Sequence, residues 1–327
     1  MTVETETNLL REKISTFLGF KGQHKAPATC SQRQWDENEY TRFLIEYDSP
    51  DGDTIEAFLL LPHGSGPFPG VLVLHQHASQ WTVGKGEVCG VTGDRFQAFG
   101  PALARRGVCV LAPDAIGFES RLASTGAGKE LAPTLDPQRA DTKHWLQYYN
   151  ALSYRLLRGD TLMRKVLDDT TTALGVLAYH PSVDRNRLGI VGHSFGGAVA
   201  LFMGALQPDL KYICSSGAAC TYRRRIEDGT GIEFSQVIPG FATKFDVDDL
   251  VKCMAPRRVL LVSSTDDPYS RDADEIVAAA CPVFDAHRCP EHLSHFRANG
   301  AHALDDARYN TIIHWLTTEA FRSEGSS

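Results

Sequence analysis

A chain of 327 residues, 43% of them hydrophobic, has enough apolar material for a large core, and its formal net charge of −7 supplies no cationic surface for a phosphate backbone or an anionic membrane. Nucleic-acid and membrane partners are therefore excluded as expectations, and no apolar run approaches the roughly 20 residues of a bilayer span. Residues 1–8 carry Glu4 and Glu6 and lack the basic start and apolar run of a secretory signal, so a cytoplasmic location is expected.

The eight cysteines (Cys30, Cys89, Cys109, Cys214, Cys220, Cys253, Cys281 and Cys289) are scattered, form no C-x-x-C pair and sit partly inside apolar runs. They read as reduced core residues, not as a disulfide framework.

In chain order, residues 9–20 predict an amphipathic helix within an N-terminal helical extension, 1–40. The main domain, 41–327, opens with Phe43 to Tyr47 and Ile55 to Leu61 around Ser49-Pro-Asp-Gly52, an antiparallel hairpin signal. Five later apolar runs, at 71–74, 108–111, 188–191, 212–214 and 259–262, read as buried parallel strands, and a last strand is expected around 295–298. Helical stretches lie between and after them, at 95–106, 161–179, 198–206, 271–280 and 304–321, with Asp160 as an N-cap. The fold class is thus α/β, a mostly parallel, doubly wound sheet with helices on both faces. Two stretches break the alternation: about 119–160, read as a cap insertion, and 221–249, read as a wall of a pocket.

The run Leu188-Gly-Ile-Val-Gly-His-Ser-Phe-Gly-Gly197 is a buried strand, then Gly192-x-Ser194-x-Gly196, then a small-residue helix. A sharp strand-to-helix turn lifts a serine above the sheet, and only small flanking residues let strand and helix pass so closely. Ser194 is the expected nucleophile, and the backbone N–H of Phe195, at the helix N-terminus, an expected oxyanion donor. A second donor is expected from the loop after the 71–74 strand, at the N–H of Gln76.

A serine hydroxyl needs a base, and the base needs a carboxylate to hold its tautomer. Asp266 and Asp267 stand just past the 259–262 strand; Asp267, before Pro268, is the choice for the acid, with Asp266 as its rival. His302, in the Gly300-containing loop after the last strand, is the expected base, ahead of His287, His292, His295 and His314. His75, His77, Arg121 and Trp145 are candidate substrate contacts. Neither the His75/His77 pair nor His292/His295 finds the further ligands a metal site requires, and no motif implies a cofactor. Arg223-Arg-Arg225 reads as a surface charge cluster.

These residues resemble the α/β-hydrolase superfamily, more narrowly its dienelactone-hydrolase and acetyl-xylan-esterase-like branches. The resemblance covers about 41–321 and rests on Gly192 to Gly197, on Ser264-Thr-Asp-Asp267, on Gly300-Ala-His302 and on the segment 103–117, where Asp114 is expected to order a turn. It implies a serine hydrolase that cleaves a small-molecule carboxylic ester through an acyl-enzyme. The dienelactone hydrolases proper use cysteine where Ser194 stands here. An amide, peptide or carbon–carbon bond hydrolase would use the same triad, and a non-catalytic receptor would keep the same fold. Nothing in the sequence fixes the oligomeric state; an edge strand or the N-terminal helix would be the route to a homodimer.

Overall fold

The computed structural model describes residues 2–22, 25, 27–122 and 140–322. Its strands are β1 (Thr29–Asp36), β2 (Tyr40–Asp48), β3 (Thr54–Pro62), β4 (Phe68–Leu74), β5 (Cys109–Pro113), β6 (Val183–His193), β7 (Leu210–Ser216), β8 (Arg258–Ser264) and β9 (Leu293–Ala298). Its helices are α1 (Val3–Phe17), α2 (Lys85–Val88), α3 (Phe99–Ala104), α4 (Ala140–Leu157), α5 (Leu162–Ala178), α6 (Phe195–Leu206), α7 (Tyr222–Asp228), α8 (Val247–Lys252), α9 (Ala273–Ala286) and α10 (Asp306–Ala320). The strands form one sheet in the order β1-β2-β3-β5-β4-β6-β7-β8-β9. Pairing is antiparallel from β1 to β5 and parallel from β5 through β9.

The continuous apolarity of the inner strands is the imprint of burial on both faces. Successive side chains point to opposite sides of a strand. Leu72, Ile190, Ile213 and Leu261 accordingly enter the core under α1, α5, α6, α8 and α9, while Val71, Val191, Cys214, Leu260 and Val262 enter a second core with residues of α3 and α10. Gly189 is required between them because a Cβ there would lie 2.0 Å from the Tyr212 ring.

Several boundaries differ from the sequence reading. The segment assigned to the N-terminal extension contains β1, an edge strand with a register shift between Ser31 and Arg33 and almost no buried side chain. Such a strand carries no hydrophobic alternation to read. The single helix expected at 95–106 is a 3-10 turn at Arg95–Gln97 followed by the short α3. Thr161, not Asp160, caps α5 by accepting from Arg164 N–H; Asp160 instead accepts from Thr161 N–H and pairs with Arg155 and Arg164. The cap expected at about 119–160 contains α4, and its part at 123–139 lies outside the described residues.

A largely buried ion cluster ties the hairpin turn between β2 and β3 to α4 and α5. Lys165 Nζ lies 2.9 Å from Ser49 Oγ and 3.3, 3.0 and 3.0 Å from carboxylate oxygens of Asp51, Asp53 and Asp169. Arg121 pairs with Asp169 at 2.8 Å and Asp53 at 3.2 Å, and Arg155 pairs with Asp51 and Asp160. Removing one member of a buried ion group is costly because its partners keep their charge without compensation. Lys165→Ala should therefore lower the unfolding free energy by about 3–5 kcal/mol in a urea titration; a loss below about 1 kcal/mol would show that the cluster is effectively solvated.

Candidate active site

The carboxyl ends of β4, β6, β8 and β9 converge where the chain reverses its direction of travel across the sheet, with β5 and β6 on opposite sides of β4. This is the position at which open α/β sheets leave a crevice. Ser194, between β6 and α6, has φ 56° and ψ −118°, a strained conformation for a residue with a side chain. Its N–H donates to Ser216 O at 2.8 Å.

The neighbouring glycines make that turn feasible. A Cβ on Gly192 would lie 2.2 Å from the Gly196 carbonyl carbon, one on Gly196 would lie 2.4 Å from Leu74 O, and one on Gly197 would lie 2.5 Å from Ser216 O. Each contact is with backbone, which has no soft degree of freedom to yield.

Ser194 Oγ and His302 Nε2 are 2.7 Å apart, and His302 Nδ1 lies 2.9 Å from Asp267 Oδ1. The Asp267 side chain is fully buried, and its carboxylate also accepts from Tyr269 N–H at 2.9 Å and from Ser270 Oγ–H at 2.6 Å. Burial alone would raise the Asp267 carboxyl, but hydrogen bonding and charge from His302, with the Ser270 and Tyr269 donors, outweigh it and hold the group below the usual carboxylate range. Asp266, the rival acid, is exposed, and its N–H donates to Gly300 O. The His302 loop is fastened from α10: the buried Arg308 guanidinium donates to Ala301 O at 2.9 Å and to Ala303 O, while Ser264 Oγ–H donates to Ala301 O at 2.8 Å.

A cavity of about 370 Å³ opens onto Ser194 and His302. Its walls come from the loop after β4 (His77, Ala78, Ser79, Trp81), from α4 (Trp145), from Tyr269 and from the 221–249 stretch (Arg225, Ile232, Glu233, Phe234, Gln236). The two insertions are joined there, because Tyr148 O–H of α4 donates to Glu233 Oε1 at 2.7 Å and the Tyr148 ring stacks on Phe234.

Of the proposed substrate contacts, His77 and Trp145 line this cavity. His75 and Arg121 do not. His75 is buried; its Nε2 accepts from Ala115 N–H at 3.1 Å, which leaves the proton on Nδ1 to donate to Gln76 O at 2.8 Å. Arg121 is consumed by the ion cluster described above. Asp114 orders its turn by accepting from Lys85 N–H, Lys85 Nζ and Ser120.

Arg223-Arg-Arg225 divides in an unforeseen way. Arg223 is exposed, Arg224 is near Asp228, and Arg225 is buried at the cavity wall. Tyr269, Glu233, Phe234 and Gln236 were not singled out; Tyr269 had a positional cue, two residues past Asp267, and the other three lie in the 221–249 stretch expected to wall a pocket.

This is the fold and strand-end arrangement of the α/β-hydrolases. Within that class, a family model described as acetyl xylan esterase matches residues 156–238, which include Ser194. The acetyl-xylan-esterase side of the resemblance seen in the sequence is thereby borne out. A curated relative, "Putative hydrolase YtaP" of Bacillus subtilis, is 26% identical over 197 residues, 59% of this chain; the match spans 58% of that relative's length, less than two thirds of it. Among solved structures, a "putative acetyl xylan esterase" from Bacteroides fragilis superposes with a TM-score of 0.70 at 16% identity, covering 90% of this chain and 75% of the other. Acetyl xylan esterase 1 from a Thermoanaerobacterium species gives 0.57 at 16% identity, with 97% and 94% covered. A glucuronoyl esterase from Teredinibacter turnerae gives 0.58 at 14% identity, with 98% and 86% covered. At these identities the structural likenesses describe the fold. No helix among the described residues is long and apolar enough to cross a membrane.

Two histidines near Ser194 are held neutral. Burial, and secondarily the proximity of His302, lowers His193 to about 3; burial and then His75 lower His77 to about 4. In an unfolded chain both titrate near 6.5, so between that value and the folded values the unfolded state binds more protons. Their contribution to stability is complete above about pH 6.5 and is lost as pH falls towards 4 and 3. The unfolding free energy should fall by up to about 1.4 kcal/mol per pH unit for each histidine in that window, and His193→Asn should flatten the dependence. An unchanged pH slope in His193→Asn would remove His193 from this account.

Proposed function

We propose that the protein is a serine hydrolase that cleaves a small-molecule carboxylic ester through an acyl-enzyme, with Ser194, His302 and Asp267 as its triad. The observation that carries this reading is the hydrogen-bond chain from Ser194 Oγ through His302 to Asp267, at 2.7 and 2.9 Å, on a turn that holds the serine in a strained conformation. The acetyl xylan esterase family match, and structural neighbours named as acetyl xylan and glucuronoyl esterases, support the ester as the bond class.

In the proposed reaction Ser194 Oγ adds to the ester carbonyl as its proton passes to His302 Nε2. Asp267 accepts from Nδ1–H, which fixes the tautomer and stabilises the imidazolium. The N–H groups of Phe195 and Gln76 are the proposed oxyanion donors. Phe195 suits that role because the first N–H groups of a helix have no intrahelical acceptor, and Gln76 because the end of β4 abuts the turn at Gly196. His302 returns the proton to the leaving alcohol, and water, activated by the same imidazole, releases the acid. His77 and Trp145 are proposed substrate contacts. A cytoplasmic setting fits six cysteines buried as thiols in the interior.

Treatment with a fluorophosphonate should add one adduct to the intact protein, absent in Ser194→Ala, and that variant should lose on the order of 10⁶ in kcat on a nitrophenyl ester. Asp267→Asn should cost roughly 10⁴ through the wrong imidazole tautomer, while Asp266→Asn should remain within about twofold of the parent. Labelling that persists in Ser194→Ala, or equal losses in the two aspartate variants, would contradict the assignment.

A further inference from the structure

We propose, on the basis of the ester-hydrolase reading above, that Arg225 makes the cavity selective for an ester that carries a carboxylate. Arg225 lies on α7, in the chain that follows β7, and is only 4% exposed. One guanidinium N–H donates to Gln236 Oε1 at 2.7 Å and another to Ala218 O at 3.3 Å. Nε is buried and has no hydrogen-bond partner among the described residues. Both hydrogen-bonded groups are neutral, so they satisfy donors without balancing the charge.

Arginine stays protonated in proteins and is rarely buried without a counter-ion. An ion withdrawn from water without one carries a desolvation penalty that neutral carbonyl acceptors offset only in part. The carboxylate facing the same cavity, Glu233, is committed elsewhere: Oε1 accepts from Tyr148 O–H, and Oε2 accepts from Ser235 N–H at 2.9 Å and from the Ser235 hydroxyl. Burial also raises the Glu233 carboxyl, which favours its neutral form. The missing anion is therefore expected from the ligand, and a planar guanidinium fork fits a carboxylate with two parallel hydrogen bonds.

The position ties this charge to the reaction. Ala218, which accepts from Arg225, follows Gly217, where a Cβ would lie 3.1 Å from His302 Cε1. Tyr269 bridges the same gap, its ring centroid 6.0 Å from Arg225 Cζ and 4.9 Å from the His302 ring. Trp81, Trp145 and Phe234 supply apolar wall for the rest of such a substrate.

The carboxylate would belong to either the acyl or the alcohol half, and two pairs of esters separate these. On the acyl side, 4-nitrophenyl hemisuccinate and hemiglutarate are compared with 4-nitrophenyl butyrate; on the alcohol side, 4-acetoxybenzoate is compared with phenyl acetate. The full chain should prefer the anionic ester in one pair by about tenfold or more in kcat/KM, the range of a charged hydrogen bond. Arg225→Gln should abolish that preference while neutral esters stay within about threefold, and Arg225→Lys should restore part of it. Equal or poorer turnover of the anionic ester in both pairs by the unmodified protein overturns the proposal, and this comparison needs no variant to fold. If Ser194 still takes the fluorophosphonate in that case, the hydrolase reading survives alone. If it does not, and no ester is cleaved, calorimetric titration of glutarate and benzoate decides the point. Binding that is lost in Arg225→Gln supports the carboxylate site, and no binding to the unmodified protein overturns it.

Discussion

Everything at the candidate site depends on how closely β6, α6 and the ends of β4 and β7 approach one another. With backbone contacts of 2.2–2.5 Å awaiting any added Cβ at Gly192, Gly196 and Gly197, the turn has no room for another residue type. The strained backbone of Ser194 persists because the packing around it over-determines its position. The all-apolar sequence of α6 has the same origin, since all of its residues are buried and the helix is wedged between sheet and neighbouring helices.

Electrostatics are arranged around that wedge in two zones. Away from the cavity, charges are matched: Lys165 and Arg121 meet Asp51, Asp53 and Asp169, and Lys85 meets Glu56, Asp114 and Glu119. At the cavity the matching stops at Asp267 and His302, while Arg225 keeps a buried donor in reserve. A buried guanidinium held only by neutral acceptors at a cavity wall carries more information than a charge on an exposed face.

How far the sequence could be read follows from which physical signals are local. The inner strands announce themselves because both faces are apolar, and the β6-Ser194-α6 run because steric crowding dictates glycine at fixed positions. β1 could not be read, because its side chains are almost all solvated on both faces. Asp266 and Asp267 were separable by preference only; what divides them is a turn that buries one carboxylate under Ser270 and leaves its neighbour in water. Arg121 and Arg225 were each misjudged for one reason. Whether an arginine meets solvent, a carboxylate or a cavity is decided by tertiary packing, and three consecutive arginines on a short helix point in three directions.

The link between α4 and the 221–249 stretch, made by Tyr148 and Glu233, bears on how a ligand would enter. Two walls contributed by separate stretches of the chain are latched to each other, so neither swings aside without exposing a buried phenol and breaking its bond to a half-buried carboxyl. Much of the conformational entropy of shaping the cavity is then lost at folding, and an incoming molecule meets a largely preorganised receptor whose selectivity lies in its walls more than in a closing motion.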